Sequence, residues 1–372
     1  MRILIDYRPA LRERTGVGEY MHHLISALTR LPASAADEIS VFTSSWKDRP
    51  AANLAAELGA RVVDLRIPVR VLNALWHRLE WPSVEMLGVS PDVVHAAHPL
   101  LMPARHAAQI VTIHDLFFLA APESTRAEIR RDYAALAPRH ARRADAIVVN
   151  SRYTGALVRK AFGVRDEAVH VCPPGPPAWS SLGREPHVPP DGYVLFIGTL
   201  EKRKNLGVLL DAYSRLLEHH RDMPPLVVAG RMTTDGEAWL HRLSQAPLAG
   251  HSRYLGYVAD KEQTYAGARL VVVPSLDEGF GIPVLEAMAA GIPVVAADRG
   301  ALPEVLGDAG MLVDADRAEP LAAAIRRMVT DREFAVACAA RGLARARQVS
   351  WTWSAAALRG AYEAAVENRR RR

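Results

Sequence analysis

The chain has 372 residues, 49% of them hydrophobic and 23% charged, with a formal net charge of +5. That length exceeds what one ordinary core organises and predicts two or three domains, while the composition excludes a disordered or fibrous chain. Its only cysteines, Cys172 and Cys338, form no C-x-x-C pair, which excludes a disulfide framework and a thiolate metal centre and fits a reducing cytoplasm.

Met1-Arg2 runs directly into a strand-like Ile3 to Ile5, too short an apolar stretch for a signal peptide. No later run reaches membrane-spanning length, so any membrane contact would be peripheral. A helical pattern follows from Tyr20 to Leu31. Between strand and helix lies Thr15-Gly16-Val17-Gly18-Glu19, placed like a dinucleotide-binding loop but with two glycines instead of three; a plain helix start is the equal alternative. Alternation continues through Ser40–Thr43, Asn53–Leu58 and Arg61–Leu65, and Pro91–His95 and Gln109–Ile113 read as further parallel strands.

Ligands of such sheets bind beyond the carboxyl ends of the strands, which is where His114-Asp115 falls. Asp115 suits either a helix cap or an orienter of the imidazole. His95 and His98 also end a strand and read as ordinary loop histidines. Trp76, Trp81 and the arginines 126, 130, 131, 139, 142 and 143 sketch a basic amphipathic surface, read first as a solvated face and second as a contact for an anionic lipid-linked acceptor. Asp145–Ser151 is another strand running into a turn. The terminal run Arg369–Arg372 reads as solvated.

Pro173-Pro174-Gly175-Pro176-Pro177, extended by Pro186, Pro189 and Pro190, is the clearest break and reads as a stiff interdomain connection. The strand–loop–helix arrangement then restarts with Tyr193–Gly198, the polar loop Thr199–Asn205 and a helix from Leu206 to Leu217. Lys202, Arg203 and Lys204 after a parallel strand suit a diphosphate, although three cations also serve solubility. Strands are expected at Leu226–Arg231 and Leu255–Val258.

The most informative stretch is Ser275 to Gly291, which follows the apolar run Leu270–Val273 and turns helical at Pro283. The first N–H groups of a helix have no partner within it, so this is an anion site in outline, and Gly279 and Gly281 let a ligand approach the main chain. Glu278 and Glu286 suit hydroxyl groups rather than phosphate, because an ionised carboxylate accepts and does not donate. Phosphate plus hydroxyls points to a nucleotide sugar; the plainer alternative is a glycine-bearing turn before a core helix. Pro293–Ala297 gives a last strand, Leu302–Val305 a turn, and Ser350–Ser354 the approach to a final helix.

The string Glu278-Gly-Phe-Gly-Ile-Pro-Val-Leu-Glu286 resembles the E-x7-E motif of retaining glycosyltransferases of family 4, and the resemblance covers nearly the whole chain. It implies an α/β architecture of GT-B type: two Rossmann-like domains with parallel sheets facing across a cleft, and a C-terminal helix crossing back to the first domain. The implied boundaries are 1–172 with 355–372, a linker at 173–190, and a nucleotide-sugar domain at 191–354. The implied catalytic set is His114, Glu278, Arg203 and Lys204; donor binding falls to Gly16, Gly18, Gly279, Phe280, Gly281, Ile282, Val284, Leu285 and Glu286. Many members carry arginine directly after the strand glycine where this chain has Thr199, which shifts the burden to Arg203.

The resemblance further implies transfer of a sugar, first candidate mannose from GDP-mannose, to a glycan or lipid-linked acceptor, in the cytoplasm or at the inner membrane face. No cofactor is expected, and no metal either, since the site loops contain no D-x-D motif. A nucleic-acid partner is not expected. The alternatives are a sugar-nucleotide epimerase of the same fold and a non-catalytic nucleotide-sugar-binding protein; a nicotinamide oxidoreductase is disfavoured by the missing third glycine and its downstream acid.

Overall fold

The computed structural model describes residues 1–11, 16–122 and 127–371, without the side chains of 127–130 and 235. Thr15, Arg126, Arg372 and the Arg130 side chain, invoked above, lie outside this description. The chain divides into two compact units, Met1–Gly175 with Ser350–Arg372, and Pro176–Val349.

The first unit is built on a parallel sheet of β1 (Arg2–Asp6), β2 (Glu38–Ser44), β3 (Arg61–Leu65), β4 (Val93–Ala96), β5 (Ala108–Ile113), β6 (Ala146–Val149) and β7 (Val169–Val171). Its strand order is β3-β2-β1-β4-β5-β6-β7. The central strands are buried along their whole length, as apolar runs covered by helices on both faces must be. Burying each large aliphatic side chain contributes about 1.5–3 kcal/mol.

The final helix, Trp351–Arg371, belongs to this unit. Ser354, Ala355, Leu358, Ala361, Tyr362 and Ala365 form its buried stripe, which joins the cluster containing Ile3, Ile5, Ile110 and Val148. His95 lies within β4, not in a loop. Its Nδ1 meets the Tyr362 hydroxyl at 2.8 Å and its Nε2 the Thr112 hydroxyl at 2.7 Å, so it is a structural histidine bridging strand and final helix.

The second unit has β8 (Tyr193–Ile197), β9 (Leu226–Ala229), β10 (Ser252–Gly256), β11 (Ala268–Val273), β12 (Val294–Ala297) and β13 (Met311–Val313), in the order β10-β9-β8-β11-β12-β13. In both sheets the winding reverses beside the first strand, between β1 and β4 and between β8 and β11. Such reversals open the crevice at the strand ends where ligands of α/β sheets bind.

Several local expectations shift. The strand expected at 255–258 lies at Ser252–Gly256, where a register irregularity lets β10 pair with β9. Leu302–Val305 is not a turn but the start of a short helix, Leu302–Leu306, with Pro303 in its first turn, where proline costs no hydrogen bond. Leu182 and Val188, inside the stretch read as linker, pack into the second unit's apolar clusters.

Candidate active site

The switch point of the second sheet brings together the loops that follow β8 and β11. After β8 a tight turn at Lys202–Lys204 ends in Asn205, held at φ 55°. The Asn205 amide donates to the carbonyls of Pro274 and Ala315, at 3.1 and 2.8 Å, which ties its loop to the one after β11. Leu276 N–H donates to the Arg203 carbonyl at 2.9 Å. Two sequence-distant loops thus become one rigid platform.

Glu278 sits in this platform only 6% exposed. It does not project freely from its loop: Lys204 Nζ reaches Oε1 at 2.5 Å, Ser275 donates to the same oxygen at 2.8 Å, and Arg203 Nη1 reaches Oε2 at 3.2 Å. A buried carboxylate must be paired, and these three donors supply the pairing. Burial pushes its pKa up, but Lys204 and then Arg203 outweigh burial and hold it below the ordinary 4.5. Arg203 also binds Glu201 at 2.7 Å. Both expected diphosphate cations are therefore fixed in place by acids of their own unit.

Gly281 precedes the helix Ile282–Ala290 with φ 103°. A Cβ there would approach Leu302 Cδ2 to 2.6 Å, so glycine is demanded by backbone shape as well as by the nearness of Leu302. Val284 and Leu285 N–H groups both point at the Gly281 carbonyl, at 3.0 and 3.3 Å. Those of Phe280, Gly281 and Ile282 find no partner among the described residues. The side chains of Phe280, Val284 and Leu285 are buried in the core. These N–H donors and the positive end of the helix dipole give the helix start the outline that an anion site requires.

Glu286 is buried, only 4% exposed. Lys261 Nζ lies 2.7 Å from Oε1 and the Tyr265 hydroxyl 2.7 Å from Oε2. Both come from the short helix Lys261–Ala266, whose cap is Asp260, accepting from Gln263 N–H at 2.9 Å. Lys261, Tyr265 and Ser275 were not singled out by sequence. The only signal for the first two is their place after β10, on a helix too short to show a period.

In the first unit His114 follows β5, with its ring edge-on to Tyr20 at 5.2 Å between centroids. Burial lowers its pKa from 6.5 to about 4, against the pull of Asp115 and a hydrogen bond to the Ala97 main chain. The ring is neutral at neutral pH, and its Nε2 has no partner among the described residues. Gly16 caps the helix Val17–Thr29, with φ 49° and open space where a Cβ would stand. Gly18 lies buried inside that helix.

The arginine-rich helix Ala127–Arg143 offers less free charge than its sequence suggests. Arg139 and Arg143 pair with Glu80 at 2.7 and 2.6 Å, and Arg131 with Asp132 at 2.7 Å. Trp76 is core, whereas Trp81 is 51% exposed. Among the described residues no helix is long and apolar enough to cross a membrane, and no group of three or more His, Cys, Asp or Glu is arranged to hold a metal.

A family profile described as Glycosyltransferase Family 4 matches residues 14–176, and one described as Glycosyl transferases group 1 matches residues 191–331. The O-antigen chain mannosyltransferase B of Escherichia coli is 28% identical over 371 residues, covering 94% of this chain and 96% of the relative. The phosphatidyl-myo-inositol mannosyltransferase of Mycolicibacterium smegmatis is 38% identical over 185 residues, 46% of this chain and 47% of the relative. The solved sucrose-phosphate synthase of Thermosynechococcus elongatus superposes with a TM-score of 0.74 at 18% identity, over 98% of each chain, which speaks for the shared fold. With two parallel-sheet units, both profiles in chain order and the acid–glycine–acid motif at the switch point, the chain is a glycosyltransferase of family 4, with the GT-B fold.

Proposed function

We propose that this enzyme is a retaining transferase that moves a hexose from a nucleoside diphosphate sugar to a hydroxyl of a glycan or lipid-linked acceptor. Mannose from GDP-mannose is the first candidate. The observation that carries the reading is the pairing of Lys204 and Arg203 with Glu278 beside the unpartnered N–H groups of Phe280, Gly281 and Ile282. A mannose donor draws its support from the relatives named mannosyltransferase.

In this reading the diphosphate lies against the helix start at Gly281 and Ile282, with Lys204 and Arg203 beside it, and the ribose hydroxyls meet Glu286. The bond from the anomeric carbon to the diphosphate oxygen breaks, leaving its electron pair on that oxygen. The cations and helix start stabilise the charge that develops there. The acceptor hydroxyl oxygen bonds to the anomeric carbon on the same face, and its proton passes to the departing phosphate oxygen. Glu278 holds the cations and contacts the transferred sugar; no covalent glycosyl intermediate is invoked. His114, whose Nε2 has no partner among the described residues, is proposed as a hydrogen-bonding group for a substrate hydroxyl. The place of action is the cytoplasm or the inner membrane face.

A panel of nucleotide sugars screened by thermal stabilisation tests the donor, since a specific ligand raises stability with its affinity and concentration. GDP-mannose should give the largest shift, and transfer to a mannosylated acceptor should follow. A larger shift with another donor overturns the mannose assignment, and an isomerised donor formed without acceptor would point to an epimerase.

A further inference from the structure

Glu286 is held by a device that extends well beyond the donor motif. A carboxylate turns easily about its last torsion, so two donors are needed to fix its plane. Lys261 and Tyr265 supply them from successive turns of one helix, but they differ in freedom. The Lys261 side chain is 29% exposed, a flexible stem that can yield an oxygen to an incoming hydroxyl. Tyr265 is 0% exposed, and its phenol stands 2.7 Å from Glu286 against 3.5 Å from the Pro283 carbonyl.

Tyr265 is itself clamped. The Trp179 ring packs on it at 4.9 Å between centroids, tilted by 40°. The strap carrying Trp179 is pinned to the same helix by Glu262, whose Oε1 accepts from Ser181 N–H at 2.6 Å, Ser181 Oγ at 2.7 Å and Ser180 Oγ at 3.3 Å. The strap, the helix Lys261–Ala266 and the carboxylate form one continuous contact chain inside the second unit.

We propose that Tyr265, locked under Trp179 by the Ser180–Ser181 strap, is a positioning residue that aims the Glu286 carboxylate at the donor ribose. This rests on the reading of Glu286 as the ribose ligand. Tyr265 makes no contact with the reacting atoms. Its removal lets the carboxylate rotate and blunts the enzyme's preference for a ribose bearing its hydroxyls.

The test uses the full chain and measures the affinities of GDP, UDP and ADP and of their 2′,3′-dideoxy counterparts, together with donor KM and kcat. For Tyr265→Phe, the preference for the hydroxylated nucleotide and the donor affinity should each fall about tenfold, the scale of one hydrogen bond to a charged group. A change in kcat is not expected. Trp179→Phe, which keeps the phenol but loosens its cover, should move both in the same direction by less, and it carries the test should Tyr265→Phe fail to fold. If the wild-type enzyme ignores the missing hydroxyls, or binds none of the three nucleotides, the ribose reading of Glu286 falls. If the wild type discriminates and the variants discriminate equally, the positioning role of Tyr265 is overturned while the ribose reading stands.

Discussion

Lys204 and Glu278, 74 residues apart in sequence, meet at 2.5 Å in a site where the acid is 8% and the lysine 13% exposed at the side chain. With Arg203 17% exposed on the same carboxylate, this is a nearly dry cluster in which each charge exists because of the others. Removing the acid should strip Lys204 of its carboxylate while Arg203 keeps Glu201. Glu278→Gln is expected to cost the second unit about 3 kcal/mol, read as a lower midpoint in guanidinium denaturation, and to reduce transfer. Unchanged stability would mean that the cations are already solvated.

The same cluster sets an acid limit. Because the folded pKa of Glu278 lies below its ordinary 4.5, its stabilisation is fully present above that value and is lost as pH falls through the lower, folded one. Stability followed against pH should therefore show an acid limb below 4.5 that Glu278→Gln flattens.

The first unit has a different acid response. Burial holds His95 and His98 down to about 3, and His114 and His140 down to about 4, from an ordinary 6.5. The unfolded chain then binds more protons than the folded one, so stability declines as pH falls below 6.5, well before carboxylates titrate. Ring-proton NMR should show His95 neutral at pH 5, and a His95 signal that titrates near 6.5 would contradict the buried bridge.

Tyr362→Phe removes the hydroxyl that meets His95 Nδ1 at 2.8 Å while leaving the ring's packing intact. An orphaned buried ring nitrogen should cost about 1–3 kcal/mol, read as a lower melting temperature of the first unit.

Gly281→Ala forces a Cβ into φ 103° and toward Leu302. Backbone strain of about 1–3 kcal/mol should accompany weaker binding of the nucleoside diphosphate in calorimetry, because relaxation would turn the helix start. Retained affinity would show that the ligand does not use that main chain.

Much of this was legible because α/β units announce themselves: apolar runs ending in glycine or a polar turn locate β1, β5, β6, β8 and β11, and Pro283 marks a helix start. The three-residue strands β7 and β13 carry too few side chains for a pattern. At the site, sequence supplied the two acids and the Arg203-Lys204 pair but not their partnership, since Lys204–Glu278 and Tyr265–Glu286 are contacts made only once the parallel sheet brings loop ends together. Spacing reveals neighbours along a helix; it is silent about neighbours across strands.

The stripe from Ser354 to Ala365 also has a consequence for synthesis. The first sheet is translated early, yet the helix that packs on β5 and β6 and supplies the hydroxyl for His95 emerges only after the whole second unit has been made. Until residues 351–371 leave the ribosome, one apolar flank of the amino-terminal half stays bare, so nascent chains of this enzyme should rely on a holding chaperone for most of their elongation time.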